Sequence, residues 1–269
     1  MRTKFFRIFL PSVFIVNVLF ILTTIFFFIR IHMSESSLFS AQFVRFGYTL
    51  HPQDLSLYSV VFFVEGILLL ISILLLIRLM WNIRVSGELY FFILFCFTFA
   101  FDGIRLWIWW FLWNKLPEQV VGGLIKGTMF LKLLGDFFLF TASLYKQGKV
   151  SAYMGTISAI LFLSIASIVF LTLVDVYSFD MVHFFKLYKE FRIDSVGIVI
   201  ACLTIVNYFV GWKKTGENAW VWFVSALFVL IRNVLYYTVI PSLAMIFLFV
   251  LIVTMGFIIS WFMRKKVYA

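Results

Sequence analysis

The chain has 269 residues, of which 64% are hydrophobic, 21% aromatic and 13% charged, with a formal net charge of +10. Soluble domains run at roughly 45–50% apolar and about 25% charged, so composition excludes an ordinary soluble protein, as well as disorder, coiled coil, collagen-like repeats and a disulfide scaffold. With a mean hydropathy of +1.09, what remains is an all-α, polytopic integral membrane bundle.

A hydrocarbon core of about 30 Å takes roughly 20 apolar residues per helix. Runs of that kind predict eight spans, at 8–30, 58–79, 89–113, 121–144, 153–174, 195–212, 219–239 and 242–263, in a single membrane domain covering 1–269. The first run, Phe5 to Ile29, exceeds the apolar stretch of a secretory signal and no A-x-A cleavage site follows it. An uncleaved anchor is therefore expected. The stretch from Ala219 to Met263 would make one helix of about 67 Å, too long for a single crossing. Pro241-Ser242 supplies a turn, because proline disfavours helix in the residue before it.

Basic residues set the orientation. With the N-terminus inside, the cytoplasmic segments hold Arg2, Lys4, Arg7, Arg78, Arg84, Lys146, Lys149, Lys213, Lys214, Arg264, Lys265 and Lys266, twelve in all. The other side holds six: Arg30, Arg45, Lys115, Lys186, Lys189 and Arg192. This asymmetry follows the positive-inside rule along the whole chain and predicts both termini in the cytoplasm of an inner or plasma membrane. It also accounts for the net charge without nucleic acid; the expected partner of the basic segments is the bilayer. Trp107, Trp109, Trp110 and Trp113 fall at the outer end of the third span, and Trp81, Trp212, Trp220, Trp222 and Trp261 at inner ends, which suits the headgroup preference of indole. Cys96 and Cys202 both lie in apolar runs and read as packing residues.

Ionisable groups cost about 2.5–3.5 kcal/mol each at a helix centre, so they require partners or a wet cavity. Seven lie within spans: Glu65, Asp102, Arg105, Lys126, Lys132, Asp136 and Arg232. Counted along the spans, Glu65, Asp102, Arg105, Lys126 and Arg232 fall in the outer half, Lys132 near the middle and Asp136 toward the inner side. Glu65, Asp102, Arg105, Lys126 and Arg232, with Asn233 and Tyr236, form the candidate ligand site, in which Glu65 or Asp102 would pair with Arg232. Lys132 and Asp136, at i,i+4, form a candidate structural ion pair. Four positive charges against three negative suit a small anionic ligand, although pairs that only neutralise one another and fasten helices would use the same residues. Gly123-x-x-x-Gly127, with Gly135 beyond it, is spaced for close helix packing.

No catalytic, metal or cofactor residues are expected. His51, Asp54, Asp180 and His183 fall in external loops without diagnostic ligand spacing. No histidine lies in a span to hold haem, and no lysine in the last two spans suits a retinal Schiff base. Phosphate-binding motifs are missing, and no cytoplasmic segment is long enough for a kinase or nucleotide-binding domain. Three classes remain. A sensor-like ligand-binding module acting with a separate cytoplasmic partner suits an anchor, an external loop and a following block of spans. A small transporter, or the membrane subunit of a transport complex, suits the intramembrane charges, but matching broken helices are missing. An enzyme acting on a lipid-linked substrate suits them least, because no nucleophile–base constellation accompanies the carboxylates. The balance favours sensing over transport, and a non-enzyme over an enzyme.

Overall fold

In a bilayer, backbone polar groups must be satisfied within the segment itself, and apolar runs of this length do so as helices. The computed structural model describes residues 2–33, 87–99, 118–146, 154–171, 174–175, 186–187, 193–216, 218–237 and 241–265, with positions 64, 66, 67, 71, 74, 101, 104 and 107 singly. The described helices are α1 (Arg2–Met33), α2 (Gly87–Phe99), α3 (Glu118–Lys146), α4 (Met154–Leu171), α5 (Ile193–Thr215), α6 (Ala219–Tyr237) and α7 (Pro241–Lys265). Two short strands, β1 (Val174–Asp175) and β2 (Lys186–Leu187), pair antiparallel between α4 and α5, with Val174 opposite Leu187 and Asp175 opposite Lys186. A two-residue ladder is too short to leave a periodic trace in sequence.

Among the described residues, three helices are long and apolar enough to cross a membrane: α3 over Gly122–Tyr145, α5 over Ser195–Thr215 and α7 over Leu243–Trp261. Shorter apolar helical stretches occupy Phe14–Phe26, Gly87–Thr98, Thr156–Leu171 and Ala219–Leu235. This is the architecture of a helical membrane protein. The expected span at 58–79 lies outside the described residues apart from the helical positions Val64, Gly66, Ile67, Ile71 and Leu74. The outer half of the expected span at 89–113 is represented by Phe101, Ile104 and Trp107.

Local chemistry sets the helix ends. α5 stops at Gly216, whose φ of 64° is the left-handed conformation that glycine adopts without a Cβ penalty. Its amide donates to the Trp212 carbonyl at 3.2 Å. Two residues on, the Asn218 side-chain oxygen accepts from the Trp220 amide at 3.4 Å and the Asn218 carbonyl from the Val221 amide at 3.0 Å, an N-cap for α6. α5 and α6 thus form a tight hairpin. Trp212 and Trp222 stack across it, 5.9 Å between ring centroids, with the Lys213 ammonium 5.0 Å over the Trp212 ring. Pro241 opens α7, where its missing amide hydrogen costs nothing.

α3 is the hub. α2, α4 and α5 pack against it, α6 packs on α5 and α7, and α1 touches α2. Of the most apolar 18 residues of α3, 72% are buried inside the protein, against 33% in α5 and 39% in α7. Phe91, Ile93, Phe95 and Cys96 of α2 and Ile125 and Ala142 of α3 are fully enclosed. Cys202 differs from the packing role expected of it, because it lies exposed on α5. Trp107 also departs from a purely interfacial role: its indole N–H donates to the Thr24 hydroxyl at 3.1 Å and its ring stacks on Phe20, tying it to α1.

Candidate functional site

Three of the four expected intramembrane charges on the described helices, Lys132, Asp136 and Arg232, gather at Asp136. Its carboxylate accepts from the Arg232 guanidinium of α6 at 2.5 Å, and the Lys132 ammonium, one turn back on α3, stands 3.9 Å from its second oxygen. All three side chains are buried: Arg232 is 0% exposed, Asp136 3% and Lys132 4%. The guanidinium also lies over the Phe95 ring of α2, 5.8 Å from its centroid, a favourable position for a cation out of water. Helices α2, α3 and α6 therefore meet at one polar node.

Two glycines make the room. A Cβ at Gly135 would stand 2.7 Å from the Thr98 hydroxyl of α2 and 3.7 Å from the Arg232 guanidinium. A Cβ at Gly197 of α5 would stand 2.8 Å from the Lys132 ammonium and 3.3 Å from the Asp136 carboxylate. A side chain at Gly197 would press on the Lys132 ammonium, and one at Gly135 on the Thr98 hydroxyl beside the node. By contrast, a Cβ at Gly123 or Gly127 meets nothing described within 4 Å. The small-residue pair singled out by its spacing is not where described helices approach closely.

The expected site residues divide. Arg232 and Asp136 share one depth, although counting along the spans separates them into outer and inner halves. An arginine side chain is long, so its guanidinium can meet a carboxylate on another helix without the two backbones lying at one level. Arg232 takes Asp136 as its carboxylate partner; Glu65, Asp102 and Arg105 lie outside the described residues. Lys126 points elsewhere, its ammonium donating to the Phe170 carbonyl near the C-terminus of α4 at 2.9 Å, where the helix dipole favours a cation. Asn233 donates to the Val229 carbonyl of its own helix at 2.9 Å, while its side-chain oxygen is buried without a hydrogen-bond donor among the described residues. Tyr236 lies on the last turn of α6, its side chain outside the described residues. The loop residues His51, Asp54, Asp180 and His183 are also outside them.

Toward the hairpin end of the bundle the node gives way to aromatics. Phe92, Phe95 and Phe228 form a triangle with centroid separations of 5.9, 6.0 and 5.6 Å. Two of its members, Phe92 and Phe228, also line a cavity of about 610 Å³ beneath, enclosed by the start of α2, the C-terminal half of α5, the start of α6 and the end of α7. Glu88 and Tyr208, both buried, stand in its wall. Sequence reasoning missed this cavity because Glu88 falls one residue before the expected span and reads as an interfacial charge. Phe95, one of 37 phenylalanines, and Gly197, one of 14 glycines, give no signal of their own.

Among the described residues, no three His, Cys, Asp or Glu side chains are grouped to hold a metal ion. No protein-family model, no curated protein and no solved structure matches the chain.

Proposed function

We propose that this chain is a ligand-binding, sensor-like membrane module that acts with a separate cytoplasmic partner and responds to a small anion. The observation that carries this reading is the buried node in which Lys132 and Arg232, from different helices, converge on Asp136. A buried ion pair is a poor device for stability alone, since well-packed apolar residues often do as well. It is a good device for registering charge, because an anion entering the node competes with Asp136 for Arg232 and loosens α6 from α3. The movement would reach the stacked tryptophans of the α5–α6 hairpin. Transport is the second reading, favoured by intramembrane charge itself.

The full topology belongs to the same proposal: eight spans, both termini cytoplasmic, in an inner or plasma membrane. Single cysteines at Ser37, Asp180 and Ser242 should react with an impermeant maleimide in intact cells. Protection of Ser37 or Asp180 overturns the orientation, and protection of Ser242 removes one span.

Function is tested in proteoliposomes with phosphate, sulfate and short dicarboxylates, read by tryptophan fluorescence. A saturable response in the wild-type protein, absent from the Lys132→Met/Asp136→Leu/Arg232→Met protein, supports sensing. Saturable uptake of a radiolabelled anion supports transport instead. Silence to the whole panel overturns the anionic ligand.

A further inference from the structure

We propose that the cavity at the hairpin end of the bundle binds an uncharged lipid amphiphile, hydroxyl head toward the hairpin and chain toward the interior, a use separate from the anion-responsive node. The lining is graded along the helices. At the hairpin end stand Asn218 and Trp220 of α6 and Ser260 and Trp261 of α7. About two turns further into each helix stand Phe228 and Val253. Indoles favour the headgroup level, which puts the polar end at the membrane surface and the apolar end in hydrocarbon. A lipid with one small polar head has the same gradient in the same direction. Size is adequate, since about 610 Å³ lies within the range of small-molecule sites, roughly 300–1,000 Å³.

The wall also selects against a charged head. No lysine or arginine is among the described residues that line the cavity, so an anionic head would lose its water without gaining a counter-charge. The one carboxyl group among them, Glu88, is buried and already has an interaction partner within the protein, so it is not held in reserve for a cation. A hydroxyl needs only hydrogen bonds, and the Asn218 amide, the Ser260 hydroxyl and the Trp220 indole are the groups at the polar end to make them. Entry is lateral. Phe92, Phe228 and Ile258 form a buried floor, whereas Val253, Gly256, Phe257 and Ser260 lie exposed along one face of α7, opposite the exposed Trp220 of α6. Gly256 keeps this rim low. Glycine is a poor helix former, and a Cβ there would meet nothing described within 4 Å, so no contact between described helices calls for it. The space above it is the width through which a chain already dissolved in the bilayer would pass.

The test puts three heads on one stearyl chain brominated near its head: the alcohol, its sulfate ester and the matching trimethylammonium. Each is titrated into phosphatidylcholine vesicles holding the full-length protein, and tryptophan quenching is read, because Trp220 and Trp261 stand in the wall. The alcohol should quench in two parts, one saturating at low mole fraction and one rising in proportion to it, the second from chains in the bulk bilayer. The two charged heads should give the proportional part alone or bind at least about tenfold more weakly. Gly256→Phe fills the slot from an exposed position and should remove the saturable part while the proportional part stays. Val253→Phe narrows the apolar end from the same face and decides the matter if Gly256→Phe fails to fold. The proposal is overturned by the lack of a saturable part with the alcohol, by equal or tighter saturable binding of either ion, or by saturable quenching that is unchanged in the folded filled variant.

Discussion

Helices α3 and α7 are both long enough to cross a bilayer, yet they occupy opposite kinds of place. The apolar stretch of α7, Leu243–Trp261, carries no ionisable residue, and it turns Ile246, Phe249 and Phe257 outward at 57–66% exposure. That of α3, Gly122–Tyr145, carries Lys126, Lys132 and Asp136, and 72% of its most apolar 18 residues are enclosed by protein. In water the most apolar segment seeks the interior. Here the relation is reversed, because lipid tails solvate leucine as well as neighbouring helices do, and only other helices solvate charge. The least apolar of these two helices is the one at the centre.

The contrast can be broken most forcefully at Asp136. Asp136→Leu leaves Lys132 and Arg232 buried without the carboxylate they share, and removing one partner of a buried pair costs about 3–5 kcal/mol. Thermal denaturation in detergent should show that loss, and the triple replacement Lys132→Met/Asp136→Leu/Arg232→Met should recover most of it. A triple protein no more stable than Asp136→Leu would mean that the ions are not energetically coupled.

A smaller effect separates the two kinds of glycine on α3. Gly135→Ala drives a methyl group toward the Thr98 hydroxyl, which is held by its bond to the Phe95 carbonyl at 2.8 Å. Overpacking of this kind costs about 1–3 kcal/mol. Gly127→Ala meets no described atom within 4 Å and should be neutral or stabilising by up to about 1 kcal/mol through helix propensity. The same denaturation assay compares them, and equal effects would contradict the placement of α3 against α2.

The smallest effect belongs to the lipid-facing side. Leu163 of α4 is 65% exposed, so Leu163→Ala should change stability by no more than about 0.5 kcal/mol. Leu134, 4% exposed on α3, provides the sharpening control: its truncation to Ala should cost about 2–5 kcal/mol. A large loss at Leu163 would show that α4 is covered by a further protein surface.

Much of this was legible beforehand, for reasons that also mark where legibility stopped. Apolar run length reports helices directly, and α5, α6 and α7 begin and end within three residues of the expected spans. The i,i+4 spacing of Lys132 and Asp136 is local, so the chain displays it. The Arg232 contact joins residues 96 apart and depends on how α6 sits against α3, which no local pattern encodes. Depth counted along a span is a coarse guide for a related reason: a long side chain such as that of Arg232 carries its charge away from the level of its own Cα. Glycine spacing suggested close packing at Gly123 and Gly127, but spacing only permits approach. Whether a neighbour is there to approach is a property of the bundle, and at Gly135 and Gly197 it is.

The i,i+4 ion pair on α3 has a consequence for biosynthesis. Asp136 enters the membrane well before Arg232 has been made; at about 5–20 residues per second, 96 residues of further synthesis take roughly 5–20 s. Throughout that interval Lys132, on the same helix, is the cation at hand, and it lets α3 partition into lipid with its acid already screened. When α6 follows, Arg232 joins a carboxylate that already has a cation beside it. Lys132 thus gives Asp136 a partner within its own helix, in hand before the second helix exists.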